Sequence, residues 1–314
     1  MANSKVLIIV GPTASGKTAL SLLLAKKYNG EIVSADSRQI YCEMNIGTAK
    51  ATLQQQKVIK HHLIDIKNPN QNYSVGQFKK DAIAAVNDIT SRSRLPIVVG
   101  GTAQYIYALV DNWQIPAVRA DKKLRAKIER NIAEQGLPAV YKKLLDLDPE
   151  AAYVVDPKNS RRVVRALEVA ITTGQPFTAQ RRAGEPLFDF LLIGLRGTPE
   201  TLKARITRRT RRMITAGLVK EVKGLLKKYG RQQKVFDTIG YREIIQHLNG
   251  ELTLNQAIQK IVINTRRFAR RQMQWFKRDE QIHWVNASVS PIVPKLLTDW
   301  LGHGWRPLPG RRGI

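Results

Sequence analysis

The chain has 314 residues, 52 of them Lys or Arg against 25 Asp or Glu, and its formal net charge of +27 points to a polyanionic partner, with a generally basic surface as the plainer alternative. A single cysteine, Cys42, excludes an internal disulfide and a cysteine-rich zinc site, and five scattered histidines argue against a metal cluster. The length suits one large core with a second, smaller unit, and neither a secretory signal nor a run of ~20 apolar residues is present, so a cytoplasmic protein outside the membrane is expected.

Lys5 to Val10 reads as a buried parallel strand. It runs into Gly11-Pro12-Thr13-Ala14-Ser15-Gly16-Lys17-Thr18, a P-loop that opens a helix from Thr18 to Tyr28. Gly11 and Gly16 permit the tight turn, backbone N–H groups converge on phosphate oxygens, Lys17 adds a point charge and the Thr18 hydroxyl can hold Mg²⁺. The loop alone leaves open whether its phosphates belong to a nucleotide or to another diphosphate. Glu31 to Ser34 reads as the second strand, delivering Ser34-Ala35-Asp36-Ser37 to its carboxyl end. Three roles stay open for Asp36: general base, indirect partner of Mg²⁺, or helix N-cap. Ser37, Arg38 and Gln39 add donors suited to a base edge or a phosphate. His61 and His62 point to opposite faces of a strand, so at most one is a functional candidate, and packing is the plainer role.

Leu95 to Val99 forms the next strand and ends in Gly100-Gly101-Thr102, where two glycines let the backbone approach a ligand. The Thr102 hydroxyl either faces that ligand or caps the helix carrying Tyr105 and Tyr107. Ligands of parallel sheets lie beyond the strand carboxyl ends, so the P-loop, the Asp36 loop and the Gly100–Thr102 loop are expected to meet. From Pro116 to Pro186 the texture changes to charged helical stretches, Asp121 to Gln135 and Ser160 to Thr173, which read as a helical insertion. Phe188 to Leu195 returns to strand, and 199–229 reads as amphipathic helix. There Arg205, Arg208, Arg209 and Arg212, at three- and four-residue spacings that share a face, crowd together with Arg211. An anion compensates such a cluster, or water solvates it. Leu254 to Lys277 is a second basic helix, with Arg266, Arg267, Arg270 and Arg271. His283-Trp284-Val285 suggests a last short strand, and 302–314 has little to bury and is expected to be a flexible basic tail. The alternation of strands and helices makes the fold α/β.

In order, the P-loop, Ser34-Ala35-Asp36-Ser37-Arg38-Gln39-Ile40-Tyr41, Ile46-Gly47-Thr48-Ala49-Lys50 and His61-His62-Leu63-Ile64-Asp65 resemble the tRNA dimethylallyltransferases. The resemblance continues through Gly100-Gly101-Thr102, Arg162-Val163-Val164-Arg165-Ala166-Leu167-Glu168, Ile239-Gly240-Tyr241-Arg242 and Thr265-Arg266-Arg267-Phe268-Ala269-Arg270-Arg271-Gln272, spanning nearly the whole chain. Ala103-Gln104-Tyr105 departs from the family's usual Gly-Leu-Tyr, and Cys42-Glu43 from its usual Arg-Gly.

The resemblance implies a P-loop NTPase-like parallel-sheet core, 1–115 with 187–301, around a tRNA-binding helical insertion, 116–186. It implies transfer of a dimethylallyl group from dimethylallyl diphosphate to the exocyclic amine of the adenosine 3′-adjacent to the anticodon. Gly11 to Thr18 would hold the diphosphate, with Mg²⁺ on Thr18, and Asp36 would be the general base. Lys17, Thr102, Arg205 and Arg209 complete the implied catalytic set, while Arg208, Arg211 and Arg212 fall outside the family's pattern and stay open as surface residues or tRNA contacts. Implied tRNA contacts are Asp36, Ser37, Arg38, Gln39, Thr102, Leu124, Arg161, Arg162, Val163, Val164, Arg165, Asp237, Thr238, Ile239, Gly240, Tyr241 and Arg242. The partner is then the anticodon stem-loop, with the target base splayed out of it, and the enzyme a monomer. A metabolite kinase and a non-catalytic RNA-binding protein are the competing functions; the first leaves the basic helices unexplained, and the second predicts little loss on changing Asp36.

Overall fold

The computed structural model describes residues 4–115, 121–181, 183–286 and 292–302. They divide into two compact units, Met1–Val110 with Leu187–Ile314, and Asp111–Pro186. Pro116, expected at the edge of the insertion, and the tail beyond Gly302 lie outside the described residues.

The larger unit is built on β1 (Lys5–Val10), α1 (Lys17–Lys27), β2 (Gly30–Ser34), α2 (Leu53–Val58), β3 (His61–His62), α3 (Val75–Ser91), β4 (Leu95–Val99) and α4 (Ala103–Val110). The insertion follows with α5 (Lys122–Leu147), α6 (Ala151–Val154) and α7 (Ser160–Thr173). The larger unit resumes with β5 (Asp189–Arg196), α8 (Pro199–Thr215), α9 (Leu218–Tyr229), α10 (Tyr241–Leu248), α11 (Leu254–Phe276), β6 (His283–Asn286) and α12 (Ile292–Leu301).

Among the described residues the strands form one parallel sheet in the order β3-β2-β4-β1-β5-β6. β1 is central and buried on both faces, which is why its sequence is an unbroken apolar run. Val6, Ile8 and Val10 pack towards α3 and α4 with Phe78, Val86, Ile106 and Leu109. Leu7 and Ile9 pack on the other face with Leu24 of α1 and Leu297 of α12. β2 and β3 lie on one side of β1 and β5 and β6 on the other, so the chain changes direction at β1 and opens a crevice at its carboxyl end.

One expected helix is corrected and another is borne out. The helix read through 199–229 is broken at Gly217, whose φ of 100° starts α9 in a new direction. The Asp121–Gln135 helix ends where expected: Gly136, at φ 82° and ψ 157°, leaves helical geometry, and a second helical stretch follows it to Leu147 within α5. The insertion has its own apolar core of Ile128, Val140, Leu144, Val163 and Leu167. Its buried Glu168 accepts hydrogen bonds from Arg125, Arg165 and the Asp121 N–H. No helix among the described residues is long and apolar enough to cross a membrane.

Candidate active site

The P-loop follows β1 and closes on itself. Gly11 has φ 139°, and a Cβ there would stand 2.5 Å from the Leu195 carbonyl oxygen of β5, so only glycine fits beside the neighbouring strand. Lys17 donates from Nζ to the Gly11 and Pro12 carbonyls at 2.9 and 2.7 Å, folding its ammonium under the loop. Burial pushes that ammonium down to about 8, opposed by the nearby Asp36 carboxylate and assisted by the Arg209 charge. The Ser15 hydroxyl is buried with no hydrogen-bond partner. A buried unpaired hydroxyl costs free energy, and an anion cradled by the loop would supply its missing acceptor.

Two arginines close the cradle from α8. Arg205 Nη1 donates to the Ser15 carbonyl at 3.2 Å, and Arg209 Nη2 to the Thr13 hydroxyl at 2.8 Å. Burial lowers the Arg209 guanidinium from its ordinary value, and Asp36 opposes that shift. The arginines of α8 therefore do not share one face as their spacing suggested. Arg205 and Arg209 turn to the P-loop, whereas Arg208, Arg211 and Arg212 stand on a separate, exposed face.

Asp36 lies just beyond β2, and its Oδ1 accepts the Arg38 N–H at 2.8 Å and the Gln39 N–H at 3.4 Å. The following residues form turns rather than a helix, so the aspartate pins its own loop and is not a helix cap. Thr102 accepts the Ser37 N–H on its hydroxyl at 3.1 Å while its carbonyl starts α4, which ties the Gly100–Thr102 loop to the Asp36 loop. A Cβ on Gly100 would stand 2.1 Å from the Ala35 carbonyl oxygen, so the two loops meet at backbone distance. The Gln39 amide does not reach into the cleft as a base reader: its Nε2 donates to the Thr48 and Ala49 carbonyls.

The third tie was not foreseen. Gln272 of α11 accepts the Thr13 N–H on Oε1 and donates from Nε2 to the Gly101 carbonyl, both at 2.8 Å, bridging the P-loop to the Gly100–Thr102 loop. Its signal was present in the sequence: Ala257, Ile261, Thr265, Ala269 and Phe276 make the buried stripe of α11, and an amide set into that stripe must find partners.

Two cavities flank Asp36. One, of about 60 Å³, is lined by Lys17, Thr18, Asp36, Gly100 and Gly101. The other is a cleft of about 510 Å³ lined by Thr13, Asp36, Ser37, Arg38, Thr102 and Arg209, by Asp237–Gly240 and Arg242, and by Thr265, Phe268, Arg271 and Gln272 of α11. Two carboxylates behind the lining, half-buried Glu221 and buried Glu243, hold Gly47, Gly240 and Arg242 in place. Glu221 accepts the N–H groups of Asn45, Ile46 and Gly47 and the Tyr241 hydroxyl, and Glu243 accepts from the Gly240 N–H, Arg242 and Asn264. Both were missed, because in sequence each looks like an ordinary acid in a helix's first turn.

Among the tRNA-contact candidates, three side chains are withdrawn from the surface. Tyr241 is fully buried against Gly47, and Val163 and Val164 belong to the core of the insertion. Leu124 packs on that same core, and Arg165 is paired with Glu168, which leaves exposed Arg161 and half-buried Arg162 on that helix. His61 and His62 serve packing: His62 Nε2 lies 2.7 Å from buried Glu31, and His61 Nδ1 2.7 Å from the Ile59 carbonyl. No cluster of three or more His, Cys, Asp or Glu suited to a metal occurs among the described residues. A Mg²⁺ here would rest on the Thr18 hydroxyl, water and phosphate oxygens, a donor set that this ion accepts.

The IPP transferase family model matches residues 39–279. The tRNA dimethylallyltransferase of Corynebacterium glutamicum (strain ATCC 13032) is 43% identical over 295 residues, covering 92% of this chain and 96% of that protein. Its counterpart from Roseiflexus sp. (strain RS-1) is 43% identical over 294 residues, covering 93% and 96%. The crystal structure of full-length tRNA isopentenylpyrophosphate transferase from Bacillus halodurans superposes with a TM-score of 0.69 at 38% identity, covering 95% of each chain. A eukaryotic dimethylallyltransferase captured acting on tRNA superposes with a TM-score of 0.74 at 29% identity, covering 91% of this chain and 74% of that one.

Proposed function

This chain belongs to the IPP transferase family of tRNA dimethylallyltransferases, and on that premise we propose that it transfers the dimethylallyl group of dimethylallyl diphosphate to the exocyclic amine of the adenosine 3′-adjacent to the anticodon in tRNA, releasing diphosphate. The observation that carries the proposal is that Asp36 lines both cavities, with phosphate-binding groups on one side and a large polar cleft on the other.

The diphosphate sits on the P-loop amides, Lys17 and the Ser15 hydroxyl, with Arg205 and Arg209 alongside. These cations stabilise the charge that grows on the leaving oxygens as the allylic C–O bond breaks. A Mg²⁺ bound at the Thr18 hydroxyl would add Lewis-acid stabilisation of the same charge. The cleft is deep enough to need the adenosine splayed from its stack, which the unpaired anticodon loop permits at modest cost. Its exocyclic nitrogen then meets the allylic carbon beside Asp36. Formation of the N–C bond makes that nitrogen acidic, and Asp36, held in place by the Arg38 and Gln39 amides, accepts the proton. Thr102 and Gln272 keep the three loops in register for that transfer.

Arg38, Arg242, Arg267 and Arg271 around the cleft, and Arg161 and Arg162 on the insertion, supply phosphate contacts that position RNA without reading its sequence. The test is diphosphate release measured without ATP. Release that requires both dimethylallyl diphosphate and unmodified tRNA supports the proposal. No diphosphate release under these conditions, with ADP formed instead once ATP and a small acceptor are supplied, identifies a kinase.

A further inference from the structure

Helix α8 has two basic faces, and the reaction uses one of them. Arg205 and Arg209 reach the P-loop, and Thr210 and Met213 line the cleft. On the other side lies an open face of the helix on which exposed Lys203, Arg208, Arg211 and Arg212 stand among Ala204, Thr207, Thr215 and Ala216. Glu200 is the one acid on that face, a helical turn or more from the three arginines. Among the described residues none of Lys203, Arg208, Arg211 and Arg212 forms an ion pair, although the chain's carboxylates pair with Lys5, Lys50, Arg92, Arg94, Arg125, Arg165, Lys228 and Arg242.

Residues three and four apart on a helix stand about 5–6 Å from each other at Cβ, so these like charges repel and destabilise the helix they sit on. Their exposure on so basic a chain calls for a compensating polyanion. Around the helix axis, Arg212 adjoins Arg205 and Arg209, with Arg208 and then Arg211 beyond it, so the basic track is continuous from the diphosphate cradle to the outer surface. The helix is about 10 Å across, so an RNA entering the cleft has its backbone within reach of the outer face.

We propose that the outer face of α8 is a second phosphate-backbone site for the tRNA substrate, in which Arg208, Arg211 and Arg212 each neutralise one phosphate outside the cleft. This rests on the reading of the substrate as tRNA.

Neutralising one phosphate contributes about 0.7 to 0.9 to the slope of log affinity against log salt concentration. Three arginines therefore account for a slope of about 2 to 3. The experiment compares the full-length protein with the triple variant Arg208→Gln, Arg211→Gln, Arg212→Gln and with the corresponding triple Lys variant. Two affinities are read at several salt concentrations, one for unmodified tRNA and one for inorganic diphosphate with Mg²⁺. The expected result is a tRNA slope reduced by about 2 to 3 in the Gln variant and preserved in the Lys variant, because charge carries the effect. In the Gln variant at 150 mM salt, diphosphate affinity should fall by much less than tRNA affinity, since Arg205 and Arg209, the arginines that reach the P-loop, are unchanged. A tRNA slope unchanged in the Gln variant overturns the proposal. So does a loss of diphosphate affinity equal to the loss for tRNA, which would mean that the helix itself has shifted. If the wild-type protein binds tRNA steeply with salt but transfers no prenyl group, the transferase reading fails while this site stands.

Discussion

Replacing Gln272 by Leu removes both ends of the bridge between the P-loop and the Gly100–Thr102 loop. The side-chain volume is nearly kept, but the Thr13 N–H and the Gly101 carbonyl, each bonded to the amide at 2.8 Å, lose their partner. A buried backbone group left unpaired costs about 1–3 kcal/mol, and partial rescue by water brings the pair to about 2–3 kcal/mol. If that energy is what keeps the P-loop in its phosphate-receiving conformation, the competent fraction falls accordingly and the Kd for diphosphate rises about 30- to 150-fold. Calorimetric titration with Mg²⁺ and inorganic diphosphate measures it, with urea unfolding run alongside to show that the variant is folded. Gly101→Ala attacks the same contact from the other side, since its Cβ would stand 2.1 Å from the Gln272 Nε2, and it should weaken diphosphate binding likewise. A folded Gln272→Leu protein that binds diphosphate within twofold of wild type would refute the reasoning.

Asp36→Asn should keep tRNA affinity and lose at least ~10²-fold in single-turnover transfer, the usual worth of a positioned base; a loss under tenfold would remove Asp36 from proton transfer. Because the buried Lys17 ammonium titrates at about 8, affinity for dimethylallyl diphosphate should fall as pH rises above about 8, by up to tenfold per unit, when followed by equilibrium binding; a flat profile from pH 7.5 to 9.5 speaks against a charged Lys17 grip. Glu31, buried beside Arg92, Arg94 and His62, is held down to about 2, chiefly by its hydrogen bond from Arg92. Its contribution is complete above about pH 4.5 and is lost as pH falls from 4.5 towards 2. Glu31→Gln should therefore cost about 2–3 kcal/mol near neutrality, measured by urea unfolding, and flatten stability across that acid window.

What the sequence disclosed and what it hid divide by distance along the chain. The strands Lys5–Val10 and Leu95–Val99 stood out because central parallel strands are buried on both faces and read as apolar runs. The P-loop, Asp36 and Gly100–Thr102 were visible because their chemistry is packed into a few consecutive residues. β3 has only two residues, too few for an alternation to register, and owes its place to pairing with Ile32 and Val33. The break at Gly217 was masked by apolar residues that keep helical spacing on both sides of it. Gln272 bonds a residue 259 positions away and Glu221 a loop about 175 positions away, so no local pattern revealed what either holds. The face of α8 that each arginine takes was equally hidden, because three- and four-residue spacings describe a band wide enough to contain both of its basic surfaces.

The most direct test of the account is the chemical identity of the product. Purified protein is incubated with Mg²⁺, dimethylallyl diphosphate and unmodified tRNA in the absence of ATP, and the tRNA is digested with nuclease for mass analysis of its adenosines. The account predicts one adenosine, 3′-adjacent to the anticodon, heavier by a single dimethylallyl group on its exocyclic nitrogen. Unchanged adenosines from protein that demonstrably binds both tRNA and the diphosphate would contradict it.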